Sequence, residues 1–126
     1  MAIGTLRRLV VDVNDLEVGE RFWSEVTGLE LQFSAWAGQF SALGKIGSGA
    51  ILLQLVPEPK TKLKNRAHID VTVDDVGKAV DEVVRLGGST IKHPGYFPPA
   101  NPHLEWAVLA DPFGNEFCLI RDLDQE

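Results

Sequence analysis

One strand pattern occurs twice in this chain, and the repeat restricts the folds that the chain can adopt. Segment 67–75 repeats the pattern of segment 8–15 when Asp75 is aligned with Asp15, and Gly88 then falls on Gly28. The alignment runs without a gap through a strand pattern and the helical segment that follows it. We therefore predict two copies of one supersecondary unit.

The two repeated strands divide their side chains between two faces. The even-numbered positions carry Arg8 and Asp12 in the first copy and His68 and Asp70 in the second. Charged side chains on an inner sheet face are rare unless they serve a site, so these four residues are candidates for function. The odd-numbered positions are apolar, as in a strand with one buried face; they are Leu9, Val11, Val13, Ile69, Val71 and Val73.

Each copy is predicted to be an α+β unit in which a strand and a helix precede three further strands. The helices are expected to run to about Thr27 and over about 76–86, and Gly28 and Gly88 follow their ends. The side chains predicted to face the sheets are Leu16, Phe22, Trp23 and Val26 in the first helix and Val76, Ala79, Val80, Val83 and Leu86 in the second.

Prolines and glycines predict the connecting segments. Segment 57–66 joins unit 5–57 to unit 66–122, and its prolines and basic residues indicate a solvated linker, with anion binding as the alternative. Segment 93–103 is rich in proline and is predicted to be irregular, with aromatic residues that either close over a pocket or anchor the loop. Segment 111–114 (DPFG) favours a type I turn within a hairpin.

Composition limits the classes of partner. The 126 residues and 44% hydrophobic content fit one compact domain. A formal net charge of −6 argues against a nucleic-acid surface, and the single cysteine, Cys118, excludes a disulfide framework. No apolar stretch approaches the length of a membrane helix or the pattern of a signal peptide. We therefore expect a cytoplasmic protein whose partner is a small organic molecule, not nucleic acid or membrane.

Several stretches together resemble the vicinal oxygen chelate superfamily, which comprises glyoxalases, ring-cleaving dioxygenases and bleomycin-resistance proteins. They are the pair Phe22-Trp23 before segment 27–29 (TGL), segment 65–70 (NRAHID) and segment 110–117 (ADPFGNEF). Within the superfamily, the chain is most similar to the small glyoxalase-like domains. The resemblance implies a single domain of two tandem βαβββ units, a curved, cup-like mixed sheet with the helices on its outer face, and a homodimer.

The resemblance also indicates where a metal would bind. Metal-dependent members carry ligands on the first and last strands of each unit, at positions that correspond to Arg8, Gln54, His68 and Cys118. Arg8 has no lone pair and stays protonated, Gln54 is a weak neutral donor, and Cys118 ligates only as a thiolate. We therefore predict no metal cofactor, with a shifted site that uses Asp70 and Glu116 as the alternative.

Two readings of the candidate residues stay open. His68 and Asp70 form either a general acid–base pair or a structural hydrogen bond. Arg8 either pairs with Asp12 or Asp70, or holds an anionic group of a ligand, whereas Cys118 is predicted to be a buried apolar residue. The residues predicted to bind the ligand are Arg8, Asp12, Gln54, His68, Asp70, Trp106, Glu116 and Cys118.

Two functions follow from these readings. The favoured one is metal-independent binding of a small organic molecule in the cup, as the bleomycin-resistance branch does. The alternative is a lyase, isomerase or dioxygenase that uses His68 with a residual metal or the pair of His68 and Asp70 as acid and base.

Overall fold

The computed structural model describes residues 2–47, 49–58 and 66–124. It divides into two compact units: a first unit, Arg7–His68, and a second unit, which combines the chain up to Leu6 with the chain from Ile69 onward. Most of the predicted linker, residues 59–65, lies outside the described residues.

Both units follow the predicted order of a strand, a helix and three strands. The elements are β1 (Thr5–Val13), α1 (Leu16–Thr27), β2 (Leu31–Trp36), β3 (Phe40–Leu43), β4 (Ala50–Leu55), β5 (Ala67–Thr72), α2 (Val76–Arg85), β6 (Ser89–Phe97), β7 (Leu104–Ala110) and β8 (Glu116–Asp122). The prediction of two α+β units with a βαβββ plan is therefore confirmed. Within the described residues, no helix has the length and apolar character that a membrane span requires.

Each unit contributes a mixed sheet whose first and last strands run parallel. In the first unit the strand order is β2-β3-β4-β1, with β1 parallel to β4 and the other pairs antiparallel. The second unit repeats this plan as β6-β7-β8-β5, with β5 parallel to β8. The duplicated sequence pattern thus corresponds to a duplicated strand topology.

The core of each unit lies between its helix and one face of its sheet. Leu16 and Trp23 of α1 pack against a cluster on the first sheet that contains Leu43, Ile51 and Leu53. In the second unit the corresponding cluster is formed by Val76, Ala79 and Val83 of α2, Val73, Ala107, Leu109 and Leu119. The odd-numbered Val11, Val13 and Val71 pack with these clusters, as their period of two predicts.

Several apolar residues predicted to be buried are exposed. Phe22 and Val26 of α1 are 56% and 62% exposed, and Leu86 at the end of α2 is 63% exposed. Leu9 and Ile69, in the first strand of each unit, are 39% and 43% exposed. The predictions for these five residues are wrong, because periodicity gives the face on which a side chain lies and not whether another element covers it.

The proline-rich segment was predicted to be irregular from position 93, but β6 continues to Phe97. β6 lies at the end of the strand order and pairs only with β7 within the described sheet. Pro94 is therefore tolerated, because an edge strand does not need every backbone N–H for a ladder. Register shifts occur between Thr90 and Lys92 and between Lys92 and Gly95, which explains why the alternating pattern lapses there.

Asp15 and Asp75, which anchor the sequence alignment, are the N-caps of the two helices. An Oδ1 atom of each accepts a hydrogen bond from a backbone N–H, of Val18 or Lys78 respectively, at 3.0 Å. Such caps satisfy a donor that the first helical turn leaves without a partner.

Replacing the second cap should destabilise the protein measurably. We expect Asp75→Ala to lower the free energy of unfolding by about 1 kcal/mol, because the Lys78 N–H loses its acceptor. Urea unfolding measures the change, and Asp74→Ala is the matched control, since Asp74 is an exposed acidic neighbour that is not the cap residue. Equal losses in both variants would show that the cap contributes no more than local charge.

Candidate functional site

We call the face of the second sheet that points away from α2 its open face. On this face Asp70 lies in one row with residues from three other strands. The strand registers place Asp70 opposite Cys118, Cys118 opposite Val108, and Val108 opposite Lys92. The next row contains Thr72, Ile120, Trp106 and Gly95. This face therefore combines titratable groups with an aromatic ring.

Asp70 and Cys118 are both buried, with 4% and 7% of their surface exposed. Burial is the largest of the effects that raise the pKa of the Cys118 thiol to about 12, and the charge of Asp70 and its hydrogen bond with the thiol contribute to the same rise. The charge of Glu116, which is exposed at the start of β8, acts in the same direction, whereas that of Lys92 opposes it. At neutral pH, Cys118 is therefore a protonated donor beside a carboxylate, in keeping with its predicted character as an unreactive buried residue.

His68 lies two residues before Asp70 on β5 and is half-buried. A ring nitrogen of His68, a carboxylate oxygen of Asp70 and the sulfur of Cys118 all lie within 4.8 Å of one another. Two of the three side chains come from a single strand, where alternation places them on the same face. This arrangement brings together an imidazole, a carboxylate and a thiol.

Trp106 is half-buried on β7 and lies on the open face of the second sheet, as its candidate role requires. The ammonium nitrogen of Lys92 lies 4.4 Å from the centroid of the Trp106 ring. The sequence pattern does not single out Lys92, because the register shifts of β6 conceal the face on which it lies. Its placement beside a candidate aromatic residue is visible only in the folded strand pair.

The first unit holds the other candidates. Arg8 and Asp12 lie on β1, where the register places them opposite Ala50 and Gln54 of β4. Gln54 lies opposite Phe40, whose ring centroid is 6.0 Å from that of Trp36. The face of this sheet away from α1 also carries the apolar cluster of Val10, Ala42 and Leu52. Polar groups thus lie at the edge of an aromatic and aliphatic surface.

A further polar network in the first unit connects α1 to the β2–β3 hairpin. Glu20 of α1 accepts hydrogen bonds from Ser41 at 2.5 Å and Ser34 at 2.6 Å, and the Ser41 hydroxyl accepts from the Ala35 N–H at 3.1 Å. Ser41 has 0% exposure. The network satisfies a buried hydroxyl and holds a backbone with φ of 54° at Ala35, so its role is structural.

The donor set does not fit the metal centre that the superfamily resemblance implies. At the candidate ligand position on β8 the side chain is a thiol with a pKa of about 12, not a carboxylate. Deprotonating such a thiol at pH 7 costs roughly 7 kcal/mol, which the metal–sulfur bond would have to offset. Arg8 at the matching position of β1 has no lone pair to donate.

Comparisons with known proteins agree on the family and the fold. A family model described as a glyoxalase-like domain matches residues 8–120. No curated protein shows a significant match to the chain.

Solved structures extend the likeness over nearly the whole chain. Methylmalonyl-CoA epimerase from Mycobacterium tuberculosis has a TM-score of 0.71 at 16% identity, over 97% of this chain and 91% of that one. A Streptomyces coelicolor methylmalonyl-CoA epimerase variant in complex with 2-nitronate-propionyl-CoA has a TM-score of 0.70 at 14% identity, over 97% and 99%. A glyoxalase/bleomycin resistance protein/dioxygenase superfamily member from Vibrio splendidus 12B01 has a TM-score of 0.66 at 17% identity, over 94% and 100%. At these identities the likeness shows the shared fold alone.

Proposed function

The chain belongs to the glyoxalase-like domain family, and on that premise we propose that it binds a small organic molecule on the open face of its second sheet without a resident metal. The observation that carries this proposal is Asp70, a carboxylate with 4% exposure that lies on the sheet face opposite the helix. Charged side chains are rarely buried on a sheet face unless they serve a site, and the hydrogen bond with the Cys118 thiol holds this carboxylate in place on the open face.

The surroundings of Asp70 suit a small organic ligand. Trp106 offers a flat apolar surface, the Cys118 thiol lies in the same row as Asp70, and the Thr72 hydroxyl lies in the next row with Trp106. Aromatic area with a few placed polar groups is the usual composition of small-molecule sites. The candidates of the first unit, Arg8, Asp12 and Gln54, stay proposed ligand-binding residues.

The comparisons support binding of a small molecule in general terms. A structural neighbour of 14% identity is in complex with 2-nitronate-propionyl-CoA. We take from it that this fold accommodates organic ligands, and we leave the identity of the ligand to experiment. The homodimer and the cytoplasmic location stay predictions; the exposed Phe22 and Val26 of α1 supply apolar surface that a dimer would bury.

A second candidate function is proton transfer by an isomerase or lyase. The observation that favours it is the proximity of His68 and Asp70. A ring nitrogen of His68 and a carboxylate oxygen of Asp70 lie within 4.8 Å of each other and of the Cys118 sulfur. A carboxylate can orient an imidazole and keep it basic, as general acid–base catalysis requires.

Metal content and ligand binding together test the favoured function. Protein purified without chelator should contain far less than one equivalent of transition metal, and His68→Ala should leave that content unchanged. In a ligand-observed NMR screen of small organic compounds, Asp70→Asn should weaken by about tenfold the neutral compounds that donate a hydrogen bond to this carboxylate, because a charged acceptor is lost. Glu25→Gln, which alters an exposed carboxylate of α1, is the matched control.

Two other results would redirect the assignment. Stoichiometric metal that is released by His68→Ala would contradict metal-independent binding. Deuterium uptake at an acidic C–H of a bound compound, abolished by His68→Ala at unchanged affinity, would select the second candidate.

A further inference from the structure

Lys92 on β6 places a positive charge beside Trp106 of the proposed ligand site. Its ammonium nitrogen lies 4.4 Å from the centroid of the Trp106 ring and donates a hydrogen bond to the His93 carbonyl at 3.0 Å. The strand register places Gly95, not Lys92, opposite Trp106, so the lysine side chain extends along the sheet to reach the ring. A cation over an aromatic face is attracted by the negative charge of the ring face.

Gly95 leaves the space that the ammonium group occupies. A Cβ atom added at Gly95 would lie 2.9 Å from the Lys92 nitrogen. Gly95 is not among the glycines with positive φ, so its backbone conformation is open to other residues. The absence of a side chain at this position therefore serves the placement of Lys92.

The charge of Lys92 is available to a ligand. Among residues 2–47, 49–58 and 66–124, no carboxylate forms an ion pair with it. An ammonium has three N–H donors, and the His93 carbonyl uses one of them. The chain has a formal net charge of −6, so a half-buried cation without an acidic partner is a local exception to the general charge.

The opposite charges at the two ends of one row of residues on this face would orient a bound anion. Asp70 and Lys92 lie at opposite ends of the row Asp70–Cys118–Val108–Lys92. Three strand spacings separate their backbones by roughly 14 Å. An anionic group is repelled at the Asp70 end and attracted at the Lys92 end.

We propose that Lys92, held over Trp106 in the space left by Gly95, selects organic anions, and in particular small carboxylic acids, at the ligand site. The carboxylate accepts hydrogen bonds from the ammonium group, and the apolar part of the molecule packs against the Trp106 ring. This inference rests on the proposed function, because it names the class of ligand for the same site.

Matched pairs of acids and their amides test the inference. Benzoate and benzamide, and propionate and propionamide, have nearly the same shape and differ in charge. We expect the natural protein to bind each acid about tenfold more tightly than its amide, as a charge-assisted hydrogen bond implies. Saturation-transfer NMR titrations measure the four affinities.

Three variants separate charge from shape. Lys92→Met should abolish the preference for the acids and leave the amide affinities unchanged within about twofold, whereas Lys92→Arg should retain most of the preference. Gly95→Ala keeps the charge but displaces the ammonium group, so it should lower acid affinity about threefold or more. Lys45→Met removes one exposed positive charge elsewhere and should behave like the natural protein.

The affinities separate the role of the Lys92 charge from the binding of organic molecules in general. Equal affinity for acids and amides in the natural protein would overturn the role of Lys92 and leave the proposed function standing. Equal losses for acid and amide in Lys92→Met would show that the lysine only supports Trp106. If no acid or amide binds, both the inference and the proposed function fail for this ligand class.

Discussion

Leu119→Ala is expected to lower the free energy of unfolding by about 3 kcal/mol, among the largest effects of any single truncation in the second unit. Leu119 is 1% exposed and lies in a cluster with Val76 and Val83 of α2 and with Leu109 of β7. Removing three carbon atoms there loses buried apolar contact and leaves a cavity that a packed helix and sheet close only in part. Urea unfolding followed by circular dichroism measures the loss.

The matched control is Leu86→Ala, the same truncation at the end of α2. Leu86 is 63% exposed, so we expect its loss to stay below about 1 kcal/mol. Losses of equal size in the two variants would contradict the packing described for α2, and would agree instead with the sequence-based prediction that Leu86 is buried.

The contrast between Leu119 and Leu86 shows which part of the fold is accessible from sequence. Alternation in β1 and β5 and the helical period in α2 correctly predict the residues that face the helix–sheet cores, because these periods follow directly from strand and helix geometry. They cannot predict how far a helix covers its sheet. Leu9 and Ile69 have the predicted parity, yet they are 39% and 43% exposed.

The same limit applies to the candidate site. The repeat makes Asp70 a candidate and the superfamily resemblance makes Cys118 one, and the structure places these two residues opposite each other. Lys92 was missed because it lies between two register shifts, where alternation gives no face. The network of Glu20 and Ser41 was also missed, because a contact between a helix and a distant hairpin leaves no local pattern.

The raised pKa of the buried Cys118 thiol makes the free energy of unfolding depend on pH. In the folded protein, burial is the largest of the effects that raise the thiol pKa from its ordinary value of 9.0 to about 12. Below pH 9 the thiol is protonated in both states and the stabilisation is fully present. Between these two pKa values the unfolded chain releases the proton while the folded chain keeps it, so the unfolded state binds fewer protons and stability falls as pH rises.

We therefore expect the natural protein to lose roughly 2 to 3 kcal/mol more than Cys118→Ala between pH 8 and pH 11. Urea unfolding of both proteins at the two pH values measures the difference, and the subtraction cancels the contribution of the lysines and of Tyr96, which both proteins share. Asp70→Asn should reduce the extra loss, because it removes a negative charge that favours the protonated thiol. Parallel pH profiles for the natural protein and Cys118→Ala would mean that the thiol is not desolvated. Cys118 would then be accessible as a thiolate and could ligate a metal at this position of β8.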